Sequence, residues 1–129
     1  MKLISLDSQQ AVSTVPFKYV NKNPFRSMYF AVQSMAAESS TAALALMAIE
    51  GVKPSIALIV IDLSAEFPKR ATGKVTFTCA DGDKIFDAVE QCMATGEPTT
   101  VKAKTTGAMA DGTVVSIFHF TWSFKQRLA

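Results

Sequence analysis

The sequence predicts an α+β domain in which a curved antiparallel sheet wraps one long buried helix, with a short second helix beside it. Two observations carry this prediction. The stretch from Asn23 to Gly51 is dominated by Ala, Met, Leu and Phe and is apolar on every side, the pattern of a helix buried inside a domain. Before and after it lie runs in which apolar and polar residues alternate, separated by short turns, as antiparallel strands with one covered face require. Each solves the other's problem if the sheet curls around the helix.

In chain order, Ala11 to Tyr19 is rich in Val, Thr, Phe and Tyr, and Pro16 suits an edge strand or a bend. The long helix opens at Asn23-Pro24, a capping residue followed by a good first helical residue, with Ser27 offering a second cap and a break. Its seven alanines from Ala31 to Ala48 let other backbone approach closely, and Gly51 closes it in the left-handed conformation. Ser55 to Phe67 reads as a strand with Ala57, Ile59, Ile61, Leu63, Ala65 and Phe67 on one fully buried face. After a loop from Pro68 to Gly73, Lys74 to Cys79 points Val75, Phe77 and Cys79 inward. Asp81-Gly82 turns the chain into a short amphipathic helix, Asp83 to Ala94, with Ile85, Phe86, Val89, Cys92 and Met93 at helical spacing and Gly96 as its stop. Thr99 to Thr106 alternates around Val101, Ala103 and Thr105. Asp111-Gly112 signals a hairpin, and the last strand, Thr113 to Lys125, shows Val114, Phe118, Phe120, Trp122 and Phe124 on one face.

The 129 residues are most simply a single domain, 1–129, with a core over about 15–125. A net charge of +2 on scattered basic residues argues against a nucleic-acid partner. The long helix carries Gln33, Ser34, Glu38, Ser39, Ser40 and Thr41 at its middle, which argues against a membrane span. Cys79 and Cys92 sit in apolar patterns and read as buried thiols in a reducing compartment; with no secretory apolar run at the start, a cytoplasmic location is expected. No cofactor or metal is expected, because one histidine and two separated cysteines make no ligand cluster.

Glu38 is the one charge in the helix from its opening turns to Ile49, and it is expected to be buried. Ser34, Glu38, Thr41 and Ala45 fall on one helical face, so hydroxyls and small residues would leave room beside the carboxylate for a substrate or water. Such a group can act as general base or nucleophile; the plainer alternative is a structural carboxylate bonded across a subunit interface. His119, on the strand face opposite Phe118 and Phe120, has no partner at suggestive spacing and reads as structural. Lys69, Arg70 and Lys74 border a loop, where solvated surface is the default and contact with a nucleotide's phosphates the functional alternative.

Asn23-Pro24-Phe25, the helix segment AVQSMAAESSTAA and the strand–loop–strand piece EFPKRATGKVTFT together resemble the hotdog-fold thioesterases, over roughly Val15 to Lys125. More particularly, the chain resembles a branch of that superfamily known as a domain of unknown function. The resemblance implies catalysis by Glu38, which falls on the family's acidic helix position, with Asn23 at the polar position fifteen residues upstream. Where many members open the helix with His-Gly-Gly, this chain has Tyr29-Phe30-Ala31. It implies further that a backbone N–H near Phe30 or Ala31 stabilises the oxyanion, that Ser34 and Thr41 hold Glu38 or its water, and that Lys69 and Arg70 meet the phosphates of CoA. The assembly implied is a homodimer joined through its sheet edges, or a tetramer of such dimers, with active sites at the interface.

The leading expectation is therefore hydrolysis of acyl-CoA or a related acyl thioester. A non-catalytic dimer that binds acyl-CoA or a fatty acid shares the pocket without needing the oxyanion hole, and Tyr29-Phe30-Ala31 favours it. A hydratase or dehydratase on the same fold would want a histidine beside the helix, which the strand position of His119 does not supply. A structural or interaction protein is the remaining alternative.

Overall fold

The computed structural model describes residues 1–18, 23, 24 and 26–127, and Tyr19 and Phe25 lie outside them. The elements in order are β1 (Lys2–Leu6), β2 (Ala11–Val15), α1 (Phe30–Ile49), β3 (Ile56–Glu66), β4 (Val75–Cys79), α2 (Gly82–Thr95), β5 (Thr99–Met109) and β6 (Val114–Gln126). The strands form one six-stranded antiparallel sheet in the order β1-β2-β4-β5-β6-β3. It wraps α1, which packs chiefly on β2, β4, β5 and β6, while α2 packs on β5, β6 and α1. This is the α+β hotdog fold.

Large residues on the sheet meet small ones on the helix. Phe77, Phe118, Phe120 and Phe124 are fully buried, and the helix presents Ala36, Ala37, Ala45 and Leu44 to that face. Phe118 stacks on Phe120 with ring centroids 5.8 Å apart and takes the edge of Phe77 at 5.9 Å. Alanine lets the helix axis approach the sheet, and the aromatics fill the space so gained. Hydroxyls pin the contact: Ser13 Oγ donates to the Ala36 carbonyl at 2.7 Å, Ser40 pairs with Thr105 at 2.7 Å, and Trp122 Nε1 donates to Thr41 Oγ1 at 3.0 Å. Each such bond contributes about 1 kcal/mol net, more if one partner were removed and the other left dry.

The second half of the chain follows the sequence reading closely. Val75, Phe77 and Cys79 point inward, α2 buries Ile85, Val89 and Cys92, and Gly96 closes it at φ 75°. Gly112 takes φ 87° in the β5–β6 turn, where Asp111 accepts the Thr113 N–H. Both cysteines are buried free thiols. Gly51, at φ 72°, follows the end of α1 as expected.

Five expectations are corrected. Asn23 does not cap α1, which starts at Phe30 after Tyr29. Instead the Asn23 carboxamide oxygen accepts both the Ser27 N–H and hydroxyl at 3.2 Å, so the Asn-Pro signal makes a turn ahead of the helix. β2 is an inner strand ending before Pro16, because the unanticipated β1 pairs along its outer side. β3 does not keep one fully buried face: a bulge at Ile61 pairs Leu58 and Val60 before it and Leu63 and Ala65 after it with Phe124, Trp122, Phe120 and Phe118, yet Leu63 and Ala65 stay exposed. Another irregularity at the start of β6 buries Val115 in place of Val114.

The fifth correction matters most for function. α1 is not buried all round; a stripe of Ala31, Met35, Glu38 and Leu46 is exposed, because the sheet of one chain covers only one side of it. β3 lies at the sheet edge, with Ile59 63 % and Ile61 57 % exposed. Among the described residues no helix is long and apolar enough to cross a membrane.

Candidate functional site

A short backbone contact builds the site. The Met28 N–H donates to the Ala71 carbonyl at 2.9 Å, which ties the segment before α1 to the loop between β3 and β4. Phe67, at the start of that loop, holds it down by setting its ring edge-on to Phe118 at 5.6 Å. A cavity of about 570 Å³ opens between the two segments, against the first turn of α1. Asn23, Tyr29, Phe30, Lys69 and Arg70 all line it, so the fold brings together five residues singled out from the sequence.

The start of α1 suits an electron-rich ligand. Tyr29 occupies the N-cap position without a side-chain cap hydrogen bond, and the first turn carries no acid. The first-turn N–H groups of a helix lack intrahelical partners and carry the positive end of its dipole. Lys69 and Arg70, both exposed, add positive charge at the rim. Asn23 is held by its bonds to Ser27.

The remaining residues of the expected site lie elsewhere. Ala31 is exposed on the outward stripe of α1, Ser34 is half-buried, and Glu38 stands exposed two turns beyond the cavity. Thr41 is fully buried, and its hydroxyl proton goes to the backbone carbonyl of Glu38 at 3.0 Å while it accepts from Trp122. It therefore serves the helix–sheet contact and does not reach the Glu38 carboxylate. The expectation of a buried Glu38 flanked by hydroxyls is thus overturned. Eight residues separate Phe30 from Glu38, about 12 Å of helix axis, too far for both to address one carbonyl within a chain.

One cavity residue escaped the sequence reading. Gln33, one turn into α1, is 3 % exposed, and its Oε1 is buried without a hydrogen-bond partner among the described residues. A glutamine five residues before Glu38 in a mostly apolar helix was a visible signal, but nothing in the sequence told which side it faced.

A second, larger concavity of about 880 Å³ lies over the C-terminal half of α1, lined by Leu3, Leu6, Ala42, Ala43, Leu46 and Ile56 among others. Leu3 and Leu6 share it because a bulge intervenes between them in β1. It is apolar, with Glu50 and Arg127 among its lining residues.

No family model and no curated protein matches the chain. Solved structures do. A Pseudomonas aeruginosa protein described as of unknown function, "Probable Thioesterase", superposes with a TM-score of 0.84 at 18 % identity, over 98 % of this chain and 83 % of that one. A variant of another Pseudomonas aeruginosa thioesterase gives 0.72 at 14 % identity, over 98 % and 81 %. A Haemophilus influenzae thioesterase gives 0.65 at 12 % identity, over 99 % and 80 %. These likenesses establish the fold.

Proposed function

We propose that the protein is a homodimeric acyl-thioester hydrolase acting on acyl-CoA or a related thioester. The observation that carries this reading is the uncapped start of α1 facing a cavity rimmed by Asn23, Lys69 and Arg70. The thioester carbonyl oxygen sits at the first-turn N–H groups, near Phe30 or Ala31, where fixed dipoles meet the charge that develops on it. Lys69 and Arg70 take the phosphates of CoA at the mouth, and Asn23 orients the carbonyl or the water.

Glu38 completes the site from the other subunit. The free β3 edge with its exposed Ile59 and Ile61 is a template for pairing with a second copy, and the outward stripe of α1 is left for the facing helix. A two-fold axis between antiparallel α1 helices carries each Glu38 toward the other chain's helix start. There the carboxylate takes a proton from water as the water oxygen adds to the carbonyl carbon. The C–S bond then breaks, the proton passes to the leaving thiolate, and acid and thiol depart. In the nucleophilic variant the carboxylate oxygen adds to the carbonyl carbon, the thiolate leaves, and water cleaves the resulting mixed anhydride to release the acid, restore Glu38 and protonate the thiolate.

A second reading, an acyl-CoA or fatty-acid binding dimer without turnover, is favoured by the bulk at the helix start, where Phe30 is 67 % exposed. Thiol release from short, medium, long and aromatic acyl-CoAs, by wild type and Glu38→Ala, separates the two. Turnover lost in the variant is expected. Saturable binding with no thiol released by wild type would replace hydrolysis with binding.

A further inference from the structure

We infer that the apolar concavity over the C-terminal half of α1 is the acyl subsite, and that its β1 wall makes it selective for an unbranched aliphatic chain of about ten carbons. The inference rests on the thioester reading above, its two-fold included. The concavity is a trough of about 880 Å³. Ala42 and Ala43 of α1 leave room at its floor, and Leu46, Ile56, Leu3 and Leu6 stand around them. The two β1 leucines reach it together because of the irregularity between Leu3 and Ser5, since a regular strand turns residues three apart to opposite faces. They pair with the buried Ser13 and Ala11, yet each stays 42 % exposed, and Leu46 is exposed as well. Large apolar side chains gathered around one open concavity mark a binding groove.

The trough begins beside the residue assigned to the chemistry. Ser39, next to Glu38, lines it, and Ala42 lies one turn beyond Glu38 on the same helical face. A two-fold that carries Glu38 to the partner's helix start therefore sets the two kinds of cavity end to end. CoA lies in one chain's 570 Å³ cavity with Lys69 and Arg70, and the acyl group lies along the other chain's trough. The carbonyl sits at the junction. Chain length follows from the helix. Glu38 to Leu46 is about 12 Å of axis, the reach of about ten carbons in an extended chain. Past that point the lining turns polar: Glu50 directly follows α1, and the Arg127 N–H donates to the Ser55 carbonyl at 2.9 Å, beside the start of β3. A longer chain would set its end against those charges and gain nothing, because burying them under hydrocarbon is unfavourable. A short or aryl acyl group would leave Leu46 and Ile56 uncovered.

The test is kcat/KM of the full-length protein for butyryl-, hexanoyl-, octanoyl-, decanoyl-, dodecanoyl- and palmitoyl-CoA, with benzoyl-CoA beside them. Each methylene moved to an apolar site is worth about fourfold, so wild type should prefer decanoyl-CoA to butyryl-CoA by at least about a hundredfold, with no further gain at palmitoyl-CoA. Leu46→Trp narrows the trough from an exposed position and should move the best substrate to hexanoyl-CoA or shorter. Replacing both Leu3→Ser and Leu6→Ser removes the β1 wall and should compress the whole series to within about tenfold. A wild-type series that is flat, or highest for butyryl- or benzoyl-CoA, would overturn the inference. So would a uniform loss across the series in Leu46→Trp, the result expected if a second copy of the chain fills the trough. If wild type releases no thiol from any member, the hydrolase reading fails and binding decides the inference. Decanoyl-CoA should then bind at least about a hundredfold more tightly than butyryl-CoA, an advantage reduced in Leu46→Trp; equal binding would refute it.

Discussion

Suppose Glu38→Gln and Asn23→Ala chains are prepared separately and then mixed under conditions that exchange subunits. Each parent alone is expected to be nearly inactive: removing a general base costs about 10²–10⁴-fold, and Glu38→Gln removes the carboxylate without changing the side-chain length. About 12 Å of helix axis separates Phe30 from Glu38 in one chain, and on the proposed reading each active site is completed across the dimer interface. In a mixed dimer one site then combines both altered residues, and the other combines an intact Glu38 with an intact Asn23. Random exchange makes half the dimers mixed, each with one working site, so the mixture should recover about a quarter of wild-type activity per subunit. The assay is continuous thiol release, with unexchanged parents as the baseline. If both residues served the same chain's site, every site in the mixed dimer would carry one lesion. A mixture no more active than its parents, with exchange confirmed by mass, would refute the cross-subunit geometry.

Two further predictions concern the scaffold that holds the site. An added Cβ at Gly82 would meet backbone atoms of Gln9 at 2.7 Å and come closer still to the Ser8 carbonyl, where the Gly82 N–H also bonds to the Gln9 carbonyl at 3.0 Å. Gly82→Ala should therefore cost about 1–3 kcal/mol, roughly 3–10 °C in Tm by calorimetry, and an unchanged Tm would contradict that packing. Burial pushes the Cys79 thiol up from 9.0 to about 11. The folded state thus holds the Cys79 proton more tightly than the unfolded state, and its contribution is present below pH 9 and lost as pH rises through about 11. Cys79→Val should lose less stability than wild type between pH 9 and 11 in denaturant titrations; parallel losses would count against the shift.

Most of the fold was legible because local chemistry and tertiary context agreed. In α2 the apolar spacing, the preceding Asp81-Gly82 and the closing Gly96 all describe one amphipathic helix, and it formed within a residue or two of the expected bounds. β4, β5 and the Asp111-Gly112 hairpin follow for the same reason: period two fixes the inward face once a helix covers one side. The first half resisted where two structures use the same signal. Asn-Pro is as good an opening for a turn as for a helix, and the fold used it for the turn that positions Asn23. β1 is exposed at every residue, so no covered face marked it in advance.

The sequence by itself determined the α+β class, the long alanine-rich helix and the β4–α2–β5–β6 order, since each depends on neighbours a few residues away. Only the tertiary structure decided which side of α1 the sheet covers. Helical periodicity places Gln33, Glu38 and Thr41 around the axis but cannot say which direction is the core. Packing sent Thr41 to Trp122, left Glu38 in solvent and buried Gln33 in the cavity. A single bulge likewise exchanged the faces of β3, because one extra residue shifts a period of two by half a turn.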